Sequence, residues 1–140
     1  MSCLEGKIAL VTAATGGLGK EIALQLASHG CRLFLTGTSR NKLHDLKNEI
    51  LIKNPSAIVY HDPGDLNKTK DIKNIINNAK GCFKKIDILV NCAGVFFVSP
   101  LEGTKFKNFK ETFKVNVEAP YLFCKEFFPE MKKNKWGRVV

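Results

Sequence analysis

The sequence lacks the features of a membrane-spanning, secreted or metal-binding protein. Its uninterrupted apolar runs are only a few residues long, so no transmembrane helix is expected, and its first residues hold no apolar stretch typical of a secretory signal. Its cysteines show no Cys-x-x-Cys spacing, which argues against a zinc site and a disulfide framework. We therefore expect a cytoplasmic protein with reduced thiols, no metal and no membrane partner. The cysteines are Cys3, Cys31, Cys82, Cys92 and Cys124.

Arginine is scarce as well, although the net charge is +9. It occurs only at Arg32, Arg40 and Arg138, and lysines scattered along the chain supply the rest of the positive charge. Proteins that read nucleic acids usually concentrate arginine and interleave it with stacking aromatic residues. We therefore expect no nucleic-acid partner. The charge suits instead a polyanionic cofactor and an acidic or carrier-linked substrate.

The 140 residues do contain a regular alternation of strand and helix signals. Such alternation is typical of βαβ units, in which parallel strands form one sheet between two layers of helices. No linker interrupts the pattern, so residues 1–140 are expected to form a single α/β domain. The predicted strands are 8–12, 32–36, 57–60, 86–91 and 137–140, the last only begun. The predicted helices are 17–28, 41–52, 68–79, 106–113 and 115–133. Apolar spacing predicts the buried sides of the first three: Ile22, Leu24, Leu26 and Ala27 in the first, Leu43, Leu46 and Ile50 in the second, and Ile72, Ile75 and Ile76 in the third.

The most informative segment runs from the first strand through a glycine cluster into the first helix. Gly16, Gly17 and Gly19 follow the apolar strand after Ala13-Ala14-Thr15, and an apolar helical pattern then begins without a gap. That order brings free backbone N–H groups and the positive end of a helix against a pyrophosphate. Small residues are needed because a Cβ would keep the backbone away from the phosphate oxygens. An ordinary tight turn between a strand and a helix is the alternative.

This turn resembles the Thr-Gly-x-x-x-Gly-x-Gly turn of the short-chain dehydrogenase/reductase family. Thr12, Gly17 and Gly19 match the pattern, and Ala13 stands where the family has glycine. The methyl group of Ala13 is tolerated at this position if its φ angle is negative. The resemblance implies a doubly wound Rossmann-like parallel sheet in strand order 3-2-1-4-5, with helices on both faces. It also implies that the turn holds the pyrophosphate and adenosine ribose of a nicotinamide dinucleotide. The other residues implied there are Ala14, Thr15, Gly16 and Leu18.

A second motif, Asn91-Cys92-Ala93-Gly94, resembles the family's Asn-Asn-Ala-Gly. The resemblance implies that Asn91, Ala93 and Gly94 let the loop pass close to adenosine and support the central sheet. The alternative is a strand end with a glycine stop. Cys92 replaces the second Asn, and we interpret it as a small buried residue rather than a nucleophile.

A third motif is Asn116, in Lys114-Val-Asn-Val117. It stands where the family places a helix-interrupting Asn of its catalytic Asn-Ser-Tyr-Lys set. The resemblance implies that Asn116 positions a water and the lysine in a proton relay. A solvated helical Asn is the alternative, although Asn in the middle of a helix is mildly unfavourable.

The residues after the second strand bear on the choice of cofactor. Thr38, Ser39 and Arg40 offer hydroxyl and guanidinium donors, with no acidic residue to hold the ribose 2′-OH of NAD. Because such donors hold a phosphate well, we expect NADP rather than NAD. The alternative is that Ser39 caps the next helix and Arg40 is merely solvated.

The third strand is followed by Asp65 and Leu66, in the position of the family's adenine-contacting segment. The resemblance implies that the Asp65 carboxylate accepts from the adenine amine and that Leu66 offers a backbone group. Capping of the next helix by Asp65 or Asn67 is the alternative, and both roles are compatible.

The resemblance covers the whole chain and is greatest to 3-oxoacyl-acyl carrier protein reductases. It implies an NADP(H)-dependent oxidoreductase that acts on a carbonyl/alcohol pair, with a small-molecule or acyl-carrier-linked substrate and a homo-oligomeric full-length form. The family's Ser and Tyr-x-x-x-Lys are expected beyond Val140, so we expect the 140 residues to bind the cofactor with little or no turnover. Tyr121 and Lys125 share that spacing but stand on the wrong helix. The alternatives are a non-catalytic dinucleotide-binding module and an interaction protein that uses the helix bearing Phe127 and Phe128.

Overall fold

A computed structural model describes residues 3–140, and these residues form a five-stranded parallel sheet with helices on both faces. The strand order β3-β2-β1-β4-β5 confirms the predicted order. The strands are β1 (Ile8–Val11), β2 (Arg32–Gly37), β3 (Val59–Pro63), β4 (Ile88–Val90) and β5 (Arg138–Val139). The helices are α1 (Gly17–Ser28), α2 (Arg40–Lys53), α3 (Thr69–Phe83), α4 (Phe106–Phe113) and α5 (Ala119–Lys133), with a 3-10 turn at Leu101–Gly103 and a π-helical turn at Lys114–Glu118.

The central strand β1 is fully buried because it lies between two other strands and two helical layers. Val11, at its carboxyl end, pairs with Leu35 of β2 and Val90 of β4. Strands β2 and β4 pair with opposite sides of β1, and all five strands are parallel. The residues that follow the strands therefore meet at one edge of the sheet, on both sides of the position where the strand order reverses.

The two faces of the sheet are covered by separate pairs of helices. On one face α3 and α5 contribute Ile72, Ile75, Phe123, Phe127 and Met131 to the core. On the other face α1 and α2 contribute Ala23, Ala27, Leu43, Leu46 and Ile50. The predicted inward residues of α2 and α3 are confirmed, since their spacing of three and four positions places them on one helical face.

The buried side of α1 differs from the prediction. Ala27 is buried as expected, but Ile22, Leu24 and Leu26 are only half-buried. Ala23, which was not predicted, is completely buried. The reason is the short distance between α1 and the turn before it, where a Cβ on Gly19 would lie 2.3 Å from the carbonyl oxygen of Ala13. Only small residues fit this face of the helix.

Strand β3 begins two residues later than predicted and extends to Pro63. Its pairing with β2 continues through polar residues, with His61 opposite Leu35 and Asp62 opposite Thr36. An edge strand tolerates such residues because one of its sides is not covered by another strand. A search for apolar runs alone therefore predicts β3 at the wrong place.

The helix predicted at 115–133 is not one continuous α-helix. A π-helical turn at Lys114–Glu118 joins α4 to α5 and contains Asn116, which agrees with the predicted interruption at that residue. Phe127 is only 2% exposed and belongs to the core, whereas Phe128 is 56% exposed. The alternative of an interaction surface on this helix therefore cannot include Phe127, which is buried, whereas Phe128 is exposed. In the part of the chain that the structure describes, no helix has the length and apolarity that crossing a membrane requires.

Candidate functional site

A cavity of about 490 Å³ lies at the carboxyl edge of the sheet, where β1 to β4 end. Open α/β sheets bind ligands at this edge, in the crevice where the strand order reverses. Several residues predicted to bind a cofactor lie in its wall: Ala13, Thr15, Gly16, Thr38, Asp65, Leu66, Ala93 and Gly94. Other wall residues were not predicted: Thr36, Gly37, Lys42, Gly64, Val95, Glu111 and Val115. The other predicted residues lie outside the wall: Thr12, Ala14, Gly17, Leu18, Gly19, Ser39, Arg40 and Asn91.

The turn between β1 and α1 is tight, and its geometry depends on Ala13. The carbonyl oxygen of Ala13 accepts a hydrogen bond from the N–H of Gly16 at 2.9 Å. The φ angle of Ala13 is +46°, in the left-handed region that favours glycine. The condition under which a methyl group is tolerated, a negative φ, is therefore not met, and the turn is strained.

The amino end of α1 has no side-chain cap. Gly16 occupies the N-cap position and has no side chain to accept from the first N–H groups of the helix, and the first turn contains no acidic residue. Leu18 points outward and is 69% exposed. This end of α1 carries the partial positive charge of the helix, and its N–H groups can donate hydrogen bonds to an anion.

Thr12 and Ala14 support the turn from below rather than line the cavity. The Thr12 hydroxyl donates to the carbonyl of Val90 at 3.4 Å and accepts from the N–H of Ala93 at 3.1 Å. The N–H of Ala14 donates to the carbonyl of Thr36 at 2.9 Å. These bonds join the end of β1 to the ends of β2 and β4. They therefore hold the segments that follow these three strands in one arrangement.

Asn91 is directed towards β5. Its backbone N–H and its side-chain Nδ2 both donate to the carbonyl oxygen of Val140, at 2.8 and 3.2 Å. The neighbouring Cys92 is half-buried, and burial raises the pKa of its thiol. The thiol therefore stays protonated at neutral pH, which agrees with its interpretation as a small packing residue.

Asn116 lies beside the loop that follows β4. Its side-chain Oδ1 accepts from the N–H of Val95, and its Nδ2 donates to the carbonyl of the same residue, both at 2.8 Å. A Cβ on Gly94 would lie 3.7 Å from the Asn116 Oδ1. Asn116 therefore holds the backbone of a residue in the cavity wall.

The end of β2 contains both cationic and hydroxyl groups. Ser39 caps α2, since its Oγ accepts from the N–H of Lys42 at 3.4 Å, which confirms the alternative interpretation of Ser39. The Arg40 side chain is 68% exposed, and its guanidinium lies 4.0 Å from the carboxylate of Asp62. Thr36 is 1% exposed, and its hydroxyl oxygen has no hydrogen-bond partner among residues 3–140.

At the end of β3, Asp65 forms a local turn rather than a helix cap. Its Oδ1 accepts from the N–H of Asn67 at 2.9 Å, and its Oδ2 lies 3.6 Å from the Nζ of Lys68. Its own N–H donates to the carboxylate of Asp71 at 3.0 Å. Helix α3 begins only after Lys68 and has no side-chain cap, so neither Asp65 nor Asn67 caps it.

The wall residues missed from the sequence follow from geometry. Thr36 is the last residue of the predicted second strand, Gly37 extends β2 by one residue, and Lys42 belongs to the first turn of the next helix. Their positions at or near the end of a strand were a usable signal. Glu111 and Val115, by contrast, reach the cavity only because of how α4 and the π-helical turn are oriented, which no local pattern shows.

Comparison with known proteins gives a family match and many relatives. The model of a family described as short chain dehydrogenase matches residues 7–140. An uncharacterized oxidoreductase, YxjF, of Bacillus subtilis (strain 168) is 32% identical over 140 residues, which cover 96% of this chain and 51% of that protein. The 3-oxoacyl-[acyl-carrier-protein] reductase FabG of Aquifex aeolicus is 32% identical, with 98% and 55% covered. The chain spans about half the length of the curated relatives it matches.

Solved structures agree with this match. A metagenomic short-chain oxidoreductase in complex with NADP superposes with a TM-score of 0.90 at 33% identity, over 99% of this chain and 62% of that one. A 3-oxoacyl (acyl-carrier-protein) reductase of Agrobacterium tumefaciens C58 with NADP bound has a TM-score of 0.89 at 27% identity, over 98% of this chain and 52% of that one.

Proposed function

This chain belongs to the short-chain dehydrogenase family, and on that premise we propose that it binds NADP(H) for the transfer of a hydride between nicotinamide and a carbonyl/alcohol pair. The observation that carries the proposal is the uncapped amino end of α1 next to the cavity at the carboxyl edge of the sheet. A pyrophosphate is the ligand chemistry that such a helix end accepts.

The residues present fit a dinucleotide in two respects. The backbone of Gly19 lies so close to Ala13 that no Cβ fits between them, which keeps the amino end of α1 directly behind the turn. The hydroxyl of Thr36 is buried without a partner, although buried polar groups are nearly always hydrogen-bonded. A bound nucleotide offers oxygen and nitrogen atoms that pair with such a group.

We assign the following roles to the residues of the site. The N–H groups of the turn and of the first turn of α1 hold the pyrophosphate, and the loop after β4 passes close to adenosine. The Asp65 carboxylate keeps free lone pairs beside its bond to Asn67 and accepts from the adenine amine. The residues of the turn are Thr12, Ala13, Ala14, Thr15, Gly16, Gly17, Leu18 and Gly19. Those elsewhere are Thr38, Leu66, Asn91, Ala93 and Gly94. Ser39 caps α2 and Arg40 faces Asp62, so neither is assigned a contact with the cofactor.

NADP is preferred over NAD in this proposal because of the groups at the end of β2. Thr36, Thr38 and Lys42 lie in the wall there, and no carboxylate follows β2 to accept from a ribose 2′-OH. A cation and hydroxyl groups favour a 2′-phosphate instead.

Asn116 belongs to the catalytic apparatus as a positioning residue. Its carboxamide fixes the backbone at Val95, in the wall of the cavity, and its π-helical turn breaks the helix where the family has its catalytic Asn. The nicotinamide group supplies the hydride chemistry when it is bound. Asn116 keeps the loop beside it in one conformation.

We expect the 140-residue chain to bind the cofactor with little or no turnover. Tyr121 and Lys125 have the spacing of the family's proton-donating pair, but neither lies in the wall of the cavity. Tyr121 is exposed beside Phe113, and Lys125 lies with Lys84 in a different cavity. Robust oxidation of NADPH by the purified chain with a panel of ketones and acyl thioesters would contradict this expectation. Enhancement of NADPH fluorescence on mixing, without turnover, is the expected result.

The partners of the whole protein are part of the proposal. A stripe of Phe109, Phe113, Val117 and Tyr121 lines an exposed groove along α4 and α5, and we name it the aromatic stripe. Exposed apolar stripes of this kind mark interaction surfaces, so we assign it to homo-oligomer formation. The substrate is a small-molecule or acyl-carrier-linked carbonyl compound, and the net charge of +9 suits an acidic carrier.

An interaction module without cofactor binding is the second candidate, favoured by the same aromatic stripe. Sedimentation velocity of Phe113→Ser and Tyr121→Ser separates the two candidates when combined with NADPH titration. Loss of the dimer with no NADPH binding in any variant would favour the interaction module. Phe128→Ser is the matched control, since Phe128 is exposed outside the stripe.

A further inference from the structure

The wall of the cavity at the carboxyl edge includes a cationic side chain, Lys42, that was not predicted from the sequence to bind a phosphate. Among the residues that the structure describes, Lys42 is the single positively charged member of the wall. It is exposed and takes part in none of the ion pairs found within residues 3–140. Its ammonium group is therefore free to pair with an anionic ligand.

Arg40, whose guanidinium was expected to hold the phosphate, does not lie in the wall of this cavity. Its guanidinium lies 4.0 Å from Asp62, and both residues line a second cavity of about 520 Å³ on the outer side of β3. The Asp62 carboxylate is itself held by the Nδ2 of Asn78 at 2.7 Å. The guanidinium thus faces a carboxylate outside the first cavity, in a long and largely exposed ion pair.

A buried hydroxyl lies in the same wall as Lys42. Thr36 is 1% exposed, and its Oγ1 has no partner within residues 3–140. Thr38 adds a second hydroxyl to this part of the wall. One cation and two hydroxyl groups at the end of β2 match the donors that a phosphate monoester requires.

We propose that Lys42, and not Arg40, is the residue that selects for the 2′-phosphate of NADP(H), and that Asp62 restrains Arg40 away from this site. The inference rests on the proposed function and names the specificity-determining residue of that site. Lys42 pairs with the phosphate as a point charge, next to the hydroxyl groups of Thr36 and Thr38.

The test is titration calorimetry of the 140-residue chain with NADP⁺ and with NAD⁺. Lys42→Gln is expected to weaken NADP⁺ binding about tenfold and to leave NAD⁺ binding unchanged, because NAD⁺ lacks the phosphate that Lys42 contacts. Lys42→Arg keeps the charge and is expected to retain the preference for NADP⁺. Arg40→Gln is the matched control, two residues away on the same helix, with an expected change below about twofold.

Asp62→Asn tests the restraint on Arg40. It is expected to strengthen NADP⁺ binding about threefold by releasing the guanidinium, and Arg40→Gln in the same chain is expected to cancel the gain. An Asp62→Asn chain whose NADP⁺ affinity is unchanged would overturn the restraint.

Failure of the assignment to Lys42 can be distinguished from failure of the proposed function. If Arg40→Gln weakened the binding of NADP⁺ but not of NAD⁺, while Lys42→Gln weakened neither, the assignment to Lys42 would be overturned and the proposed function would stand. If the unsubstituted chain, folded by circular dichroism, bound neither dinucleotide, the proposed function itself would fail. Because Lys42 and Arg40 are both exposed, their substitution is not expected to unfold the chain.

Discussion

The side chain of Asn116 forms two hydrogen bonds to the backbone of Val95, one as acceptor and one as donor, both 2.8 Å long. The pair joins the π-helical turn between α4 and α5 to the loop after β4, which belongs to the wall of the cavity. The carboxamide is suited to this role because it offers one acceptor and two donors in one plane.

Asn116→Ala is expected to release the loop at Val95. Loss of the two hydrogen bonds reduces local stability by about 1 kcal/mol for each bond. Hydrogen exchange at the Val95 amide, followed by mass spectrometry, is expected to become faster, and NADP⁺ binding to become weaker. Asn108→Ala on α4 is the matched control, since the hydrogen bonds of Asn108 within residues 3–140 involve its backbone and not its side chain. Unchanged exchange at Val95 in Asn116→Ala would contradict the role of the pair.

Ala13→Gly is expected to stabilise the protein. Ala13 has a φ angle of +46°, which costs an alanine residue about 1–2 kcal/mol, more than the entropy that glycine loses on folding. Urea denaturation is expected to show a gain of roughly 0.5–1 kcal/mol in the free energy of unfolding. Ala14→Gly is the control, because Ala14 is buried and has no positive φ, so it is expected to destabilise. A loss of stability in Ala13→Gly would show that the turn is not strained.

Gly19→Ala is expected to destabilise the turn and to weaken NADP⁺ binding. The added Cβ would lie 2.3 Å from the backbone carbonyl oxygen of Ala13, so α1 or the turn must shift, at a cost of about 1–3 kcal/mol. Gly81→Ala on α3 is the control, since nothing lies within 4 Å of its added Cβ and helical alanine is favoured over glycine by about 0.5–1 kcal/mol. Thermal unfolding of the two variants should therefore shift in opposite directions, and a Gly19→Ala chain of native stability would contradict the close approach.

Stability is expected to fall as the pH drops from neutral to below about 6.5, the unfolded pKa of His61. Burial lowers the pKa of His61, with smaller contributions from Lys47, His44 and Arg40, which Asp62 opposes. Because the folded pKa is below the unfolded value of about 6.5, the unfolded chain binds the proton first, and stability is lost as the pH falls below that value.

Urea denaturation at pH 7.5 and pH 5.5 measures this loss. His61→Gln is expected to reduce the difference between the two pH values, while His29→Gln, at the exposed end of α1, keeps it. Equal pH dependence in all three chains would exclude His61 as the source.

Most helices could be predicted because they depend on local patterns, whereas the strand order was predicted from the resemblance to the family. The bounds of α1 and α4 were predicted without error, since a glycine turn and a change of period mark their ends. Strand β3 was misplaced because its position follows from pairing with β2 rather than from its own polar residues. The φ angle of Ala13 was not predictable, since alanine alone does not indicate a left-handed turn.

The site was predictable where a motif follows a strand and not where helices converge. Thr15, Gly16 and Gly94 lie in the cavity wall as the motifs indicated, whereas Glu111 enters it from α4. Arg40 was singled out for its chemistry, but its guanidinium lies 4.0 Å from the carboxylate of Asp62, a pairing between separate elements that no local motif indicates. The cofactor role of each residue stays a prediction.

Titration of the folded 140-residue chain with NADP⁺ and NAD⁺ in a calorimeter tests the central claim most directly. We predict saturable binding of NADP⁺ with one site per chain and weaker binding of NAD⁺. The absence of heat for both dinucleotides at saturating concentration, from a chain with a cooperative unfolding transition, would contradict the claim that the turn before α1 holds a pyrophosphate.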